Sequence, residues 1–173
     1  MWNFRPARPN DADAACIVLR RSIEYLCSTD HGGDPAILGP WLANKTPEHV
    51  TAWINANPAG FIVGVGPDGI VGVGSVVASG EIRLNYVAPW ARFRGVSKGL
   101  LRAMEDHAAS LGATVCTLTS TITAHDFYRR CGYVDIGPPV QSFAGTEAFP
   151  IRRAISYTGF YPAEYAVYVF VPF

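Results

Sequence analysis

The chain has 173 residues, which is enough for one domain with its own core and too few to promise two. Hydrophobic residues make up 49% of the sequence and charged residues only 16%, a balance on the apolar side for a globular protein. Fourteen basic and fourteen acidic side chains cancel, so no overall field favours nucleic acid or an anionic membrane as a partner.

The N-terminal part of the chain predicts helices. Asn10 is a suitable helix N-cap, and helical periodicity continues from there to about Cys27. Residues 28–34 (STDHGGD) are rich in helix breakers and predict a loop. Two short helices are then expected, one over residues 37–42 and one that begins at Thr46-Pro47, an N-cap followed by a first-turn proline.

The middle of the chain predicts strands. Residues 61–65 form an apolar run, residues 67–69 (PDG) are a turn, and residues 70–78 form a second run. Residues 81–87 (EIRLNYV) predict a third strand, which Pro89 ends. We therefore expect an antiparallel meander.

After the meander, helices and strands alternate. The pattern predicts a helix over 94–111, a strand over 114–119, a helix over 123–130 and a strand over 133–136. No internal repeat and no linker divides the chain. The order of elements therefore predicts a mixed α/β fold, with residues 1–173 as a single domain around a central sheet.

The sequence does not indicate export, membrane insertion or metal binding. The first residues lack the apolar core of a secretory signal, and no stretch approaches the roughly 18 apolar residues of a membrane span. We therefore expect a cytoplasmic protein with reduced thiols. The cysteines are widely spaced and form no metal-ligand pattern, so we expect them to be buried and expect no bound metal: Cys16, Cys27, Cys116 and Cys131.

The most informative segment is residues 87–101, where a strand ends in a basic turn that leads directly into a helix. Unpaired amides and the macrodipole make a helix N-terminus a suitable site for a pyrophosphate. Gly95 allows the backbone to approach the anion closely, and Ser97 is small. Three basic side chains surround the turn: Arg92, Arg94 and Lys98. Neither the GxxxxGK[ST] motif of nucleoside-triphosphatases nor the GxGxxG motif of dinucleotide-binding folds is present.

Two motifs in this order resemble those of the GCN5-related N-acetyltransferase (GNAT) superfamily. Residues 92–97 (RFRGVS) resemble the (Q/R)xxGxG/A signature whose main chain binds the pyrophosphate of acetyl-CoA, with Ser97 as a small replacement in the last position. Residues 124–133 (AHDFYRRCGY) resemble the motif AxxFYxxxG(F/Y). The opening residues 4–15 resemble the family's first strand and helix, and the resemblance extends over about residues 3–155.

This resemblance implies a GNAT-like fold, in which a mixed, mostly antiparallel twisted sheet is flanked by helices. Acetyl-CoA, as cosubstrate, would lie in a cleft between two central strands. The polar residue that precedes the alanine of the second motif by three positions, often Asn in the family, is Thr121 here. The cofactor-binding residues that the resemblance implies are Tyr86, Val87, Arg92, Phe93, Arg94, Gly95, Val96, Ser97, Lys98, Thr121, Ala124 and Phe127.

The resemblance also implies direct attack of an amine on the thioester in a ternary complex, without an acyl-enzyme. Tyr128 is the candidate acid for the departing thiolate, since a tyrosine keeps its proton at neutral pH. Glu81 is the candidate general base, with a chain of water molecules as the alternative. A strand irregularity within 85–87 is expected to free a backbone amide for the oxyanion. The candidate substrate-binding residues are Tyr25, Cys27, His31, Trp41 and Asn85.

The sequence thus predicts an acetyl-CoA-dependent N-acetyltransferase that acts on a small-molecule or peptide amine. Two alternatives stay open: a CoA-binding sensor without catalysis, and an acyltransferase with another acyl chain or a hydroxyl acceptor. Residues 156–173 form a C-terminal extension that predicts a strand with two apolar faces. Such a strand needs cover, so we expect a homodimer with this extension in the interface; the alternative is that it folds over its own domain.

Overall fold

The computed structural model describes residues 1–142 and 145–157. Most of the predicted extension, residues 158–173, therefore lies outside the described residues, and so does the dimer interface expected there. Strand β1 (Asn3–Pro6) precedes the N-terminal helices, which are α1 (Ala12–Leu26), α2 (Ser28–His31), α3 (Pro35–Leu42) and α4 (Pro47–Ala56).

Two details of this helical part differ from expectation. Asp11, not Asn10, is the N-cap residue of α1; its carboxylate pairs with Arg5 at 2.7 Å and accepts a hydrogen bond from the backbone of Arg8 at 2.7 Å. The loop predicted over residues 28–34 instead begins with the short helix α2. Gly32, with φ of +57°, ends this helix, so the breakers in the sequence act at its C-terminus.

The first sheet is an antiparallel meander, as predicted. It contains β2 (Phe61–Gly66), β3 (Gly69–Val76) and β4 (Ile82–Val87), and its strand order is β1-β2-β3-β4. Helix α5 (Val96–Ser110) packs on this sheet. The close packing requires a glycine in β3, because a Cβ at Gly72 would lie 2.7 Å from side-chain atoms of both Val96 and Leu100.

The second sheet contains the remaining strands of the described residues. It consists of β5 (Val115–Thr121), β6 (Val134–Asp135), β7 (Val140–Gln141) and β8 (Glu147–Ala154), with helix α6 (Ile122–Arg130) following β5. Strand β8 lies between β5 and β6 and also pairs with β7. The sequence did not predict β8, which contains Pro150 at a position that pairs with Thr119. Proline usually argues against a central strand because it cannot donate to the ladder.

The two sheets meet at one point and then separate. Glu81 and Thr117 form an isolated parallel bridge, in which the backbone amide of Thr117 donates to Gly80 at 3.0 Å. Beyond this bridge β4 and β5 belong to different sheets, so a cleft opens between them. The fold is therefore the expected mixed α/β fold with mostly antiparallel strands flanked by helices.

A continuous apolar core packs α1 and α5 against the first sheet and reaches β5, α6 and β8. Three cysteines are buried as predicted and Cys131 is half-buried. No helix among residues 1–142 and 145–157 is long and apolar enough to cross a membrane. In the same part of the chain, no group of His, Cys, Asp and Glu side chains could hold a metal ion.

Candidate active site

The cleft between the two sheets is the candidate active site, with a volume of about 430 Å³. One wall is strand β4 and the other is formed by the end of β5 and by α6. The end of α1 and the turn before α5 close it at opposite sides. Its lining includes Ser22, Leu26, Cys27, the whole of β4, residues 95–98, residues 118–121, Phe127 and Tyr128.

Strand β4 presents a free edge to this cleft. The amide of Ala88 donates to Val71 at 2.8 Å, and Val87 and Asn85 lie opposite Gly72 and Gly74 in the same register. Because hydrogen-bonded and non-hydrogen-bonded pairs alternate in an antiparallel ladder, the amides of Asn85 and Val87 point away from β3. They face the gap between β4 and β5. Among the described residues, no strand forms a ladder with this edge of β4.

The strand irregularity expected within 85–87 lies elsewhere. The β3–β4 register shifts between Ser75 and Val76, which pair with Leu84 and Ile82, so the extra residue is Arg83. An irregularity is not required to free an amide at Asn85 or Val87, because the alternation of the ladder already leaves them at the open edge.

The turn before α5 has the form of an anion site. Gly95 is the N-cap residue of α5 with φ of +84°, and no side chain of the described residues caps the helix there. The amides of residues 96–98 therefore have no intrahelical acceptor and are available to a ligand. Arg92 and Lys98 line the cleft beside them.

The predicted cofactor-binding residues all line the cleft except Arg94. Arg94 lies instead over the ring of Trp2, with 4.9 Å between its guanidinium carbon and the ring centroid. The Trp2 indole nitrogen also donates to the Arg94 carbonyl at 2.8 Å. Thr121 lines the cleft, but its hydroxyl accepts a hydrogen bond from Ala124 at 3.3 Å and so caps α6.

Tyr128 projects from α6 into the buried part of the cleft and is only 5% exposed. Its ring packs edge-on against Phe127 and Tyr133, at centroid distances of 5.1 and 5.5 Å. Burial raises the pKa of the Tyr128 hydroxyl above its usual value, and a polar contact from the Asn85 side chain opposes this only in part. Tyr128 is therefore placed to hold a proton inside the cleft at any physiological pH.

Two side chains that line the cleft carry buried polar atoms without a hydrogen-bond partner among the described residues. These atoms are Asn85 Oδ1 and Thr123 Oγ1. Buried polar atoms are normally paired, so orphaned ones in a cleft are consistent with partners supplied by a ligand or by water.

Of the predicted substrate-binding residues, the structure brings only Cys27 and Asn85 to the cleft. Tyr25 is 64% exposed and lies outside the cleft lining. Trp41 is buried behind β4, where its indole nitrogen donates to the Tyr86 hydroxyl at 3.3 Å. It supports the wall of the cleft but is not part of its lining.

His31 is also outside the cleft lining and has a packing role. Its Nδ1 accepts a hydrogen bond from the Gly33 amide at 2.9 Å, so the proton is on Nε2, which donates to the Ile23 carbonyl at 3.1 Å. The neutral ring is 4% exposed and fixes the turn after α2.

Glu81, the predicted general base, is not brought together with Tyr128. It lies at the point where the two sheets meet, half exposed, and forms an ion pair with Arg83 at 3.1 Å. It lines a separate, shallow depression and not the cleft. Among the described residues that line the cleft, the one carboxylate is that of exposed Asp126.

Sequence reasoning missed several residues at or beside the cleft. Ser22 and Ser120 are buried neutral polar residues in its lining, and Arg130 adds a cation near the end of α6. The basic pair at residues 129–130 was a signal for Arg130. No local signal could have indicated Asp30, which is 6% exposed and accepts hydrogen bonds from residues far along the sequence.

Comparisons with known proteins agree with this geometry. Residues 42–154 match a family described as acetyltransferase (GNAT) domain. A GCN5-related N-acetyltransferase from Rhodopseudomonas palustris is 23% identical, with a TM-score of 0.77 over 88% of this chain and 95% of the other. A search of curated proteins finds no match.

Two further solved structures share the fold. One is the PaiA N-acetyltransferase from Thermoplasma acidophilum in complex with coenzyme A (15% identity, TM-score 0.69, 89% of this chain and 99% of the other). The other is a ribosomal-protein-alanine N-acetyltransferase from Brucella melitensis (20% identity, TM-score 0.67, 88% and 99%). At this level of identity they establish the fold and nothing about the acceptor. Because the family match covers most of the chain and the fold agrees with it, the chain belongs to the GNAT acetyltransferase family.

Proposed function

We propose that this protein transfers an acetyl group from acetyl-CoA to the amine of a small molecule or peptide, by direct attack within a ternary complex. The observation that carries this proposal is that three features of the structure line the same cleft. The open edge of β4, the uncapped N-terminus of α5 and the buried hydroxyl of Tyr128 all line one volume.

Acetyl-CoA fits the polar groups of this cleft. Its pyrophosphate would accept hydrogen bonds from the amides of residues 96–98, with Arg92 and Lys98 adding positive charge. Its pantetheine arm contains amide groups, which would pair with the free edge of β4 as an extra strand does. The amides of Asn85 and Val87 are the donors on that edge, and either could also stabilise the oxyanion.

Tyr128 is the proposed proton donor. When the amine attacks the thioester carbonyl, the carbon–sulfur bond breaks and the thiolate takes the hydroxyl proton of Tyr128. The raised pKa of the Tyr128 hydroxyl ensures that this proton is present when the thiolate forms. The proton released by the amine restores the hydroxyl through solvent, so the reaction leaves the enzyme unchanged.

The amine must lose its own proton, and we propose that water accepts it. Glu81 is ion-paired outside the cleft, and Asp126 is exposed to solvent on α6. Neither carboxylate is buried, and Glu81 lies outside the cleft that contains Tyr128. A chain of water molecules is therefore better supported than Glu81 as the acceptor of the amine proton.

The lining near α1 gives a coarse description of the acceptor. Ser22, Leu26 and Cys27 are uncharged and line the cleft. No acidic cluster of the described residues lines this part, as recognition of a polycation would require. We therefore propose an amine attached to an uncharged or apolar group. The expected homodimer, the single domain and the cytoplasmic location remain proposals from the sequence.

Release of free thiol tests the proposal directly. The enzyme is incubated with acetyl-CoA, propionyl-CoA or succinyl-CoA and with panels of amines and alcohols, and the Tyr128→Phe variant is the control. We expect release with acetyl-CoA and amines only, dependent on Tyr128. Tight binding of CoA without release from any pair would favour a sensor, and release with alcohols or a longer acyl chain would favour a different acyltransferase.

A further inference from the structure

Phe93 is an unusual residue at the mouth of the cleft. Its side chain is 90% exposed, and its φ of +62° makes it the one non-glycine residue with positive φ among residues 1–142 and 145–157. A left-handed backbone is unfavourable for a bulky residue and persists only where the surroundings impose it. Such outliers cluster at ligand clamps, so the position of Phe93 requires an explanation.

The neighbouring residues fix the direction of this side chain. Gly95 also has positive φ, at +84°, and the residue between them, Arg94, is held by Trp2 through a hydrogen bond of 2.8 Å to its carbonyl. The backbone from 93 to 95 is therefore anchored on the side of β1. This anchoring presents the Phe93 ring to solvent and to the cleft, which it lines.

Among the described residues, one cation lies over the ring. The guanidinium carbon of Arg92 lies 4.5 Å from the centroid of Phe93, a cation–π contact that covers part of the ring and leaves the rest open. A flat aromatic surface with an adjacent cation is suited to a ligand that is itself flat, aromatic and anionic. A purine nucleotide has this chemistry, since every base can stack on an aromatic side chain.

The position of the ring relative to the anion site indicates which part of a ligand reaches it. Phe93 precedes the N-cap of α5 by two residues. A pyrophosphate on the amides of residues 96–98 would thus have Phe93 beside its outer end, at the mouth of the cleft. The acyl end of the same ligand would extend inward towards Tyr128.

We propose that Phe93, together with Arg92, is a stacking platform for the adenine ring of the acyl donor. Phe93 then selects donors that contain an adenine ring. This role is separate from binding of the pyrophosphate and from acyl transfer. This proposal rests on the proposed function, because it requires the cleft to bind acetyl-CoA.

Two donors that differ in the nucleotide test it. Acetyl-CoA contains the adenine ring, whereas acetyl-4′-phosphopantetheine lacks the adenosine part and keeps the acyl arm with one phosphate. Calorimetric titration with both is performed on the full chain and on Phe93→Ala, Phe93→Asn and Phe93→Tyr. Trp90→Ala is the matched control, since Trp90 is an exposed aromatic residue of the same turn outside the cleft lining.

We expect Phe93→Ala and Phe93→Asn to weaken acetyl-CoA binding about fivefold or more, as loss of base stacking requires. Binding of acetyl-4′-phosphopantetheine should not change, and Phe93→Tyr, which keeps a ring, should bind acetyl-CoA like the unmodified chain. Asparagine tolerates left-handed φ, so loss in Phe93→Ala but not in Phe93→Asn would indicate a backbone effect and overturn the proposal.

The remaining outcomes also decide the question. An equal loss of affinity for both donors in the Phe93 variants would show that Phe93 shapes the turn before α5 and does not contact the base. This result would reject the stacking platform. Unchanged affinity for acetyl-CoA in Phe93→Ala, or the same loss of affinity in Trp90→Ala, would also reject the stacking platform. In these cases the proposed function would still stand, provided that the unmodified chain binds acetyl-CoA. Failure of the unmodified chain to bind acetyl-CoA would reject both.

Discussion

The carboxylate of Asp30 accepts a hydrogen bond of 2.7 Å from the backbone amide of Ile122, a residue 92 positions further along the chain. The other carboxylate oxygen accepts from Thr123 at 3.3 Å. Helix α2 thus caps the N-terminus of α6, the helix that carries Tyr128. This contact joins the helix that follows α1 to the helix that supplies the proposed acid.

Asp30→Ala should therefore reduce both stability and turnover. It removes a buried, charged acceptor from two amides, and we expect the free energy of unfolding to fall by about 2 kcal/mol. A displaced α6 should lower kcat, because this helix carries Tyr128. Urea unfolding and steady-state kinetics measure the two effects. Asp34→Ala, which removes only the exposed cap of α3, is the control, and equal effects of the two substitutions would contradict a link between Asp30 and Tyr128.

Gly95→Val should weaken acetyl-CoA binding by about 2 kcal/mol, because a branched residue does not adopt a φ of +84° without strain and its Cβ would stand at the anion site. Gly112 provides a matched control at the other end of α5, since its φ is +95° and a Cβ there would meet no atom within 4 Å. Calorimetric titration should show loss of affinity in Gly95→Val and not in Gly112→Val. Similar affinities in both folded variants would disprove a pyrophosphate site at this turn.

Tyr128→Phe should lower kcat roughly 10²-fold, the range expected for loss of a general acid, and leave the Kd of acetyl-CoA nearly unchanged. The ring contacts with Phe127 and Tyr133 are retained, so the variant should remain folded. Thermal unfolding checks this point. If kcat stays within about threefold of the unmodified enzyme, Tyr128 has only a packing role.

Most residues predicted to bind the cofactor line the cleft, because a strand, a basic glycine turn and a helix follow one another within residues 82–110. Of the residues predicted to bind the substrate, only Cys27 and Asn85 line the cleft, because the positions of the others depend on contacts between distant residues. His31 and Trp41 are in the expected segments, but tertiary packing turns them towards Ile23 and Tyr86. Strand β8 was missed because the register against β5 overrides the ordinary preference of Pro150.

No acetyl group should be transferred to Cys27. This thiol lines the cleft, but burial raises its pKa to about 12, so the nucleophilic thiolate is scarcely present at neutral pH. Intact mass measured after incubation with acetyl-CoA alone should show the unmodified protein, and initial-rate plots with both substrates varied should intersect. Parallel plots and an adduct that is absent in Cys27→Ser would establish an acyl-enzyme and exclude direct transfer.

The pH dependence should follow the acceptor amine and not a residue of the enzyme. Only the neutral amine attacks, so kcat/KM should rise about tenfold per pH unit below the pKa of the amine and level off above it. With acceptors of different pKa, the midpoint of the pH profile should shift to the pKa of each amine. Glu81→Gln should change kcat/KM less than about twofold, since Glu81 is half exposed, forms an ion pair with Arg83 and does not line the cleft. Arg83→Gln removes the other partner of this ion pair. It is the matched variant that shows whether loss of the ion pair alone changes β4 and thereby the activity. A midpoint that stays fixed across all acceptors and disappears in Glu81→Gln would instead identify Glu81 as the general base.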